Sequence, residues 1–286
     1  MDIKPIRLYD YAPAIFTQIP SRKGIKKAIK RGEIIVSGKT SFDGYWLQPN
    51  DKIDLIDLEL KPPKPFSLAL EIVFEDDYLA IVNKPAGIST SGNQYRTVQN
   101  AVVNNLLQST QTDALKWPKP VHRLDNQTSG LLIVAKTAKA VLNLGQQFEK
   151  KVVQKTYHAI VIGTPEQKGI ISSPVLEKEA LTEYNVIGTV KSVKNKTLSL
   201  VELSPKTGRT HQLRVYLSEM GFPILGDKLY GVEGLILKNK GLFLCSTKLQ
   251  FTHPVLKEQL AISIELPNKF DSLLKREQKM WEKKHK

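Results

Sequence analysis

Cysteine is nearly absent from this sequence, in which Cys245 is the single example among 286 residues. One cysteine cannot form a disulfide within the chain, and such scarcity is typical of proteins from reducing compartments. Long apolar runs are missing as well, since none approaches the roughly 20 residues of a membrane span. The N-terminal segment MDIKPIRLYD has no apolar stretch of the kind found in secretory signals. We therefore expect a cytoplasmic protein that is not attached to a membrane.

The sequence also lacks the common signatures of cofactor and metal binding. It contains neither G-x-x-x-x-G-K-[ST] nor a G-x-G-x-x-G after a strand, so no cradle for a nucleotide cofactor is evident. The five histidines never pair at metal-ligand spacing, and Ser129 does not lie in a G-x-S-x-G elbow. These absences argue against nucleotide-dependent enzymes, metalloenzymes and serine hydrolases, and we expect neither a metal nor a cofactor.

Positive charge, by contrast, is abundant and unevenly placed, with a formal net charge of +14. Residues 21–39 carry seven Lys or Arg and one Glu, and residues 275–286 carry six basic and two acidic residues. The two segments thus hold +6 and +4, which leaves only +4 for the rest of the chain. Such a concentration favours a polyanionic partner, with nucleic acid ahead of a membrane surface.

The first basic segment has the pattern of a short amphipathic helix. Ser21 is a suitable N-cap and Gly32 a suitable C-terminal stop. Between them Ile25, Ala28 and Ile29 share an apolar stripe, whereas the opposite face is basic and almost free of acids. A solvated surface helix is one interpretation, but such helices usually carry both signs of charge, so we favour RNA binding. The residues expected to contact RNA here are Arg22, Lys23, Lys26, Lys27, Lys30 and Arg31.

Short strands are predicted next, in residues 31–39 (RGEIIVSGK) and 47–55 (LQPNDKIDL). Together with the basic helix, these segments resemble the S4 RNA-binding module. Gly24 departs from the usual pattern, because glycine is a poor residue for the interior of a helix. The resemblance implies a small α+β RNA-binding domain over residues 1–58.

The rest of the chain is predicted to form a larger domain. Three prolines in residues 59–67 (ELKPPKPFS) indicate a linker. In residues 68–270 predicted strands outnumber helices and do not alternate regularly with them. This order predicts an α+β fold with a mixed, largely antiparallel sheet. Residues 271–286 are interpreted as a basic C-terminal tail.

Several elements of the larger domain are distinct in the sequence. The run GLLIVAK (130–136) predicts a strand that is buried on both faces. The segment QKTYHAIV (154–161) predicts another strand, with alternating side chains on each face. A helix is predicted from about Thr210 to Gly221, which would place Thr210 and Arg214 one turn apart.

Three polar residues at these elements have ordinary structural interpretations when each is taken alone. Asp125 lies in HRLDNQTSG (122–130), where an aspartate often forms an Asx turn. Tyr157 would be a buried core tyrosine. Arg214 would be a surface residue or a salt-bridge residue of its helix.

Taken together, however, the segments resemble the signature segments of the RluA-type pseudouridine synthases. The matching stretches are HRLDNQTSGLLIVAKT (122–137), KTYHAIV (155–161) and TGRTHQLRVYLSEMGFPILGDKLYG (207–231), preceded by EDDYLAIVNKPAGI (75–88). An S4-like module ahead of the catalytic domain is a familiar arrangement in that family. Residues 89–102 depart from the pattern, because they lack the histidine-bearing stretch that is usual there.

The resemblance implies a role for each residue. Asp125 would be the catalytic aspartate. Tyr157 would stack against the target base and assist proton removal at C5. Arg214 would pair with Asp125 and hold it ionised. Loop support or RNA contacts are implied for His122, Arg123 and Arg209.

The chemistry of the family suits these residue types. Isomerising uridine breaks the N1–C1′ bond and rejoins C1′ through C5 without net gain of atoms or electrons, so no cofactor is needed. A carboxylate can act at the sugar either as a nucleophile or as a base. We therefore predict a monomeric RNA pseudouridine synthase, with ribosomal RNA favoured over transfer RNA. The alternative is a non-catalytic RNA-binding or ribosome-assembly protein that uses the S4-like module.

Overall fold

The structure is a computed structural model that describes residues 5–16, 19–55, 64–235 and 240–285. Its N-terminal part contains two helices and a three-stranded antiparallel sheet of order β2-β1-β3. In chain order these elements are α1 (Leu8–Ile15), α2 (Arg22–Lys30), β1 (Ile34–Val36), β2 (Lys39–Thr40) and β3 (Ile53–Leu55). They enclose a small apolar core of their own.

The basic helix is confirmed as α2, together with both of its predicted ends. The Ser21 Oγ accepts a hydrogen bond from the Gly24 N–H at 3.1 Å, which is an N-cap interaction. At the other end Gly32 adopts a left-handed φ of 75°. The predicted apolar stripe, which consists of Ile25, Ala28 and Ile29, is buried against α1 and the strands.

The predicted connection between the two parts falls largely outside the described residues. Residues 56–63 are not described, and they include most of the proline-rich linker 59–67 and the end of the predicted N-terminal domain at 58. The described chain resumes at residue 64 and enters the larger sheet at Glu71.

The larger part is an α+β structure with a ten-stranded sheet. Its elements are β4 (Glu71–Glu75), β5 (Leu79–Lys84), α3 (Val98–Ala101), β6 (Ala114–Pro120), β7 (Ser129–Thr137), α4 (Ala138–Glu149), β8 (Gln154–Ile162), β9 (Lys168–Ile171), β10 (Thr182–Ser192), β11 (Lys196–Pro205), α5 (Gln212–Glu219), β12 (Leu244–Thr252), β13 (Gln259–Ser263) and α6 (Asn268–Lys284). The strand order is β4-β5-β7-β12-β8-β11-β10-β9, with β13 on β12 and β6 on β7. Among the described strand pairs only β7 and β12 run parallel, so the predicted largely antiparallel sheet is confirmed.

Strand β7 lies at the centre of the domain and is buried on both faces, as the run GLLIVAK predicts. Leu131 and Ile133 face a core that includes residues of α4. Leu132 and Val134 face the opposite core, which includes residues of α3. An apolar run without alternation is required at such a position, because neither face of the strand meets water.

The start of β7 is held against β12 by an unusually close backbone contact. Gly130 has a φ of 109°, and a β carbon built on it would lie 2.1 Å from the Ser246 carbonyl oxygen. Only glycine fits this position. On its other side Ser246 is paired with Tyr157 of β8. Because β12 contacts β7 on one side and β8 on the other, the loop that precedes β7 lies close to β8.

Two details of the predicted elements differ in the structure. Helix α5 begins at Gln212 rather than near Thr210, because His211 adopts a left-handed conformation (φ 56°, ψ 16°) that interrupts the helix. Thr210 and Arg214 are therefore not one turn apart on a helix. Most of the segment interpreted as a basic tail (271–286) belongs to α6, which starts at Asn268.

Helix α6 packs on the sheet rather than extending away from it. Its Phe270 and Leu273 are buried in an apolar core, and its Glu277 accepts a hydrogen bond from the Ser192 hydroxyl at 2.8 Å. Within the described ranges, no helix combines the length and the apolar character that a bilayer span requires.

Candidate active site

A cavity of about 340 Å³ opens where the loop before β7, strand β8 and the segment leading into α5 meet. Its volume lies in the range of small-molecule sites. The three residues predicted to carry chemistry, Asp125, Tyr157 and Arg214, all line this cavity. They come from segments 32 and 57 residues apart in the sequence, which the fold brings to one place.

The loop that carries Asp125 is held by hydrogen bonds from other elements. The Thr90 hydroxyl donates to the Leu124 carbonyl at 3.0 Å and accepts from the Leu124 N–H at 3.1 Å. The Thr128 N–H donates to the Asp125 carbonyl at 3.1 Å. The turn is thus closed by the backbone of Asp125, and its carboxylate is directed into the cavity rather than into an Asx turn.

The carboxylate of Asp125 faces two potentially cationic side chains. Arg214 Nη1 lies 3.5 Å from Oδ2, and His211 Nε2 lies 3.8 Å from Oδ1. His211 is itself oriented by the Tyr230 hydroxyl, which lies 3.0 Å from Nδ1. The predicted pairing of Arg214 with Asp125 is therefore present as a contact at 3.5 Å.

The main partner of Arg214 is a second aspartate, Asp227, to which the sequence analysis assigned no role. Arg214 Nε and Nη2 donate to the two carboxylate oxygens of Asp227 at 2.7 and 2.9 Å, in a buried bidentate pair. Asp227 also accepts from the backbone N–H groups of Leu229 and Tyr230. Burial alone would raise the pKa of Asp227, but these hydrogen bonds hold it below its ordinary value.

This arrangement fixes the direction of the Arg214 guanidinium. Two of its nitrogens are occupied by Asp227, so the third, Nη1, is left to face Asp125. A bidentate pair permits little rotation of a guanidinium. Asp227 lies within the quoted segment GDKLYG, but neither its spacing from Arg214 nor a helical or strand pattern indicated the pairing.

Tyr157 presents its ring to the cavity from β8. On the same strand face, Ala159 and Val161 belong to the neighbouring core, as alternation predicts. Burial raises the pKa of Tyr157 to about 12, and the negative charge of Asp125 acts in the same direction. The phenol is therefore neutral near pH 7, and what it presents to a ligand is an aromatic face with a hydroxyl group.

Lys84 is a second site residue that the sequence analysis did not identify. Its side chain is fully buried, and its ammonium donates to the carbonyls of Pro85 and Asn126 at 3.0 and 3.1 Å. Burial lowers the pKa of Lys84 to about 8, although the charge of Asp125 opposes this shift. Lys84 thus ties the strand β5 to the loop that carries Asp125 and adds positive charge beneath it.

His122, Arg123 and Arg209, the other residues predicted to support the loop or contact RNA, have different surroundings in the structure. His122 Nε2 accepts a hydrogen bond from the Ile133 N–H at 3.0 Å, and its ring stacks on Phe148. Burial, together with the charge of Lys155, lowers the pKa of His122 to about 3, so this neutral ring supports β7. Arg123 is exposed at the cavity, and Arg209 lines it while its Nε donates to the Glu179 carbonyl at 3.0 Å.

Of the six RNA-binding residues predicted within residues 22–31, half are engaged by acids that lie outside α2. Arg22 pairs with Asp10 at 2.8 Å, Lys26 with Asp43 at 3.6 Å, and Arg31 with Glu33. Asp10 and Asp43 lie more than ten residues from their partners, so the local sequence did not reveal those two pairs, whereas Glu33 lies only two residues from Arg31. Within the described part of the chain, no ion pair is formed by the other three cations, which are Lys23, Lys27 and Lys30.

Comparison with known proteins gives a consistent match. Residues 78–219 match the sequence model of the RNA pseudouridylate synthase family, a range that includes Asp125, Tyr157 and Arg214. An uncharacterized RNA pseudouridine synthase of Aquifex aeolicus is 31% identical over 281 residues, covering 88% of each chain. Ribosomal large subunit pseudouridine synthase D of Zymomonas mobilis is 33% identical over 252 residues, covering 77% of each chain.

The fold is also similar to that of a solved structure. Human RNA pseudouridylate synthase domain containing 1 superimposes with a TM-score of 0.58 at 25% sequence identity. The match covers 70% of this chain and 85% of the human one.

Proposed function

Since this chain belongs to the RluA-type RNA pseudouridine synthases and isomerises uridine in RNA, we propose that Asp125 is its catalytic carboxylate. The observation that carries the proposal is the convergence of Asp125, Tyr157 and Arg214 on one cavity from three separate segments. A structural aspartate would direct its side chain to the backbone of its own turn. Asp125 instead directs its carboxylate to Arg214, in a cavity large enough for a nucleoside.

In the proposed reaction Asp125 acts at the ribose of a uridine that has left its helical stack. The N1–C1′ bond breaks, the uracil turns, and a C5–C1′ bond forms. C5 then loses its proton to solvent and N1 gains one, so atoms and electrons balance. Asp125 acts either as the nucleophile at C1′ or as a base at the sugar, and in either role its carboxylate faces the Arg214 guanidinium at 3.5 Å.

Tyr157 is proposed to hold the turned-out base. Extruding a base from its stack costs a few kcal/mol, and stacking it on an aromatic ring returns roughly 1–3 kcal/mol. The ring of Tyr157 lines the same cavity as Asp125, which places a stacking surface next to the reacting sugar. Because its phenol is neutral near pH 7, stacking is favoured over proton removal at C5 as its principal role.

We propose ribosomal RNA of the large subunit as the substrate, in a cytoplasmic and monomeric enzyme. Relatives from Zymomonas mobilis and Buchnera aphidicola are both named as ribosomal large subunit pseudouridine synthases. Residues 1–58 would serve as the S4-like RNA-binding domain and residues 68–270 as the catalytic domain.

The function is tested with RNA that carries tritium at uridine C5, prepared from cells that lack this gene. We expect the purified protein to release tritium to water, and we expect pseudouridine mapping to find at least one site in large-subunit ribosomal RNA that depends on the gene. Binding of this RNA without any release of tritium would instead support the non-catalytic RNA-binding alternative. Gene-dependent sites in transfer RNA alone would contradict the proposed substrate.

The unpaired cations of α2 lead to a further prediction. Changing Lys23, Lys27 and Lys30 together to Gln should weaken the salt dependence of RNA binding. The slope of log K against log salt should become shallower by about 2, because each lost phosphate contact removes roughly 0.7–0.9. The matched control is the triple change of Arg22, Lys26 and Arg31 to Gln, whose charges are already paired with acids. Filter binding of ribosomal RNA between 50 and 200 mM KCl measures both slopes. Equal slopes for the two variants would contradict the prediction.

A further inference from the structure

A second cavity of about 370 Å³ continues from the catalytic one along the surface. Five residues line both cavities and form the junction between them: Phe148, Lys155, Thr207, Gly208 and Arg209. The second cavity, which we call the basic groove, is additionally lined by Lys151 and Lys206. Among its described lining residues, Glu149 is the one acid. The basic groove therefore presents positive charge directly beside the proposed reaction centre.

Lys155 is the distinctive residue of this junction, because it is half-buried and has no carboxylate partner among the residues that the structure describes. Its Nζ donates one hydrogen bond, to the Thr207 carbonyl at 3.3 Å, and it forms no ion pair within the described residues. An ammonium group has three donors. Removing an ammonium from water is costly unless it is paired, and burial lowers the pKa of Lys155 below its ordinary value.

The backbone next to Lys155 leaves room for a ligand. A β carbon built on Gly208 would approach the Lys155 Nζ at 3.9 Å and would contact no other group within 4 Å. Arg209, the next residue, uses its Nε for the Glu179 carbonyl and has no carboxylate partner in the described part of the chain. By comparison, Lys206 of the same groove is paired with Glu183 at 2.7 Å.

The spacing along β8 relates Lys155 to the proposed base-binding residue. Lys155 and Tyr157 are two residues apart and both line the catalytic cavity, so they project from the same strand face about 7 Å apart. In a nucleotide the base is attached at C1′ of the ribose, and the backbone phosphates are attached through O3′ and O5′, several bonds away. A base stacked on Tyr157 would thus leave its sugar at Asp125 and a backbone phosphate within reach of Lys155.

We propose that Lys155, assisted by Arg209, binds a backbone phosphate of the RNA next to the target uridine. This proposal rests on the function proposed above. The ligand supplies the counter-charge that Lys155 lacks among the described residues. The contact positions the substrate and is not part of the bond changes at C1′, so its loss should weaken binding more than turnover.

The test compares Lys155→Gln and Lys155→Arg with wild type in tritium release from C5-tritiated RNA of cells that lack this gene. We expect Lys155→Gln to raise KM about tenfold with kcat within about twofold, and Lys155→Arg to keep KM within about threefold. The slope of log kcat/KM against log KCl should be shallower by roughly 0.7–0.9 in Lys155→Gln, as for one lost phosphate contact. A matched control is Lys191→Gln. Lys191 is exposed on β10 and lies nine residues along the strand from Thr182, which pairs with Pro205 near the cavity. None of these quantities should change in this variant.

Two outcomes would overturn the phosphate-binding role. An unchanged salt slope with a lower melting temperature would assign Lys155 to structure, through its hydrogen bond to Thr207. A fall in kcat at constant KM would place it in the bond-making steps instead. Absence of tritium release by the wild-type protein would overturn the proposed function itself, and that result is seen in the wild-type arm before any variant is measured.

Discussion

Asp125→Asn is expected to reduce tritium release from C5-tritiated RNA by roughly a thousandfold or more. A positioned acid or base commonly contributes 10²–10⁴-fold, and a nucleophile that has lost its charge cannot attack C1′. Asparagine has nearly the same shape as aspartate. The hydrogen bond that closes the turn, from the Thr128 N–H to the backbone carbonyl of residue 125, should therefore be unaffected. The measurement is single-turnover tritium release at saturating enzyme, which separates chemistry from RNA binding.

The interpretation depends on an intact fold and intact RNA binding. We expect the melting temperature of Asp125→Asn and its affinity for ribosomal RNA to stay close to those of wild type. Asp54→Asn provides a matched control, because it makes the same change of charge at an exposed position on β3. An Asp125→Asn protein that releases tritium within tenfold of wild type would show that another group performs the chemistry.

Asp227→Ala is expected to have the second-largest effect, on both stability and turnover. It leaves the buried Arg214 without its bidentate partner, and breaking a buried ion pair in this way typically costs about 3–5 kcal/mol. In a domain of this size each kcal/mol lowers the melting temperature by about 2–4 °C, so a loss of about 10 °C is expected. Arg214 is also no longer held with its Nη1 toward Asp125, and we expect kcat to fall about a hundredfold with little change in KM.

An exposed ion pair of equal length serves as the control for this variant. Glu183→Ala removes the partner of Lys206, a pair that is also 2.7 Å long but has both side chains about half exposed. Exposed pairs contribute about 0–1 kcal/mol, so melting and kcat should barely change. Asp227→Asn should be intermediate, because an amide retains one acceptor for Arg214. If Asp227→Ala melts early yet keeps a normal kcat, Asp227 stabilises the fold without positioning Arg214.

Much of the fold follows from local features of the sequence. The buried strand β7 is apparent from the six consecutive small or apolar residues that precede the lysine in GLLIVAK. Helix α2 is apparent from its cap, its glycine stop and its apolar stripe. These signals are visible because side-chain periodicity and capping depend on residues a few positions apart. The start of α5 was less predictable, because the left-handed conformation falls on a histidine rather than on a glycine.

The candidate residues were found by resemblance, and their individual patterns favoured structural interpretations. For Asp125 the local pattern predicted an Asx turn, and the structure shows a turn closed by the backbone with the carboxylate free to face Arg214. His122 was expected at the loop or the nucleotide, and it supports β7 through a hydrogen bond to Ile133. In both cases the local sequence indicated a turn but not the direction of the side chain.

What the sequence by itself determined is the set of elements, the concentration of positive charge and the identity of the residues that can carry chemistry. Only the tertiary structure decided which of these groups meet. It assigned Arg214 jointly to Asp227 and Asp125, placed the buried Lys84 beneath the loop that carries Asp125, and paired Arg22 and Lys26 of α2 with acids from distant parts of the sequence. The physical reason is that these contacts depend on how distant strands lie against each other. At Gly130 and Ser246, for example, two backbone segments are in contact although they are more than a hundred residues apart in the chain.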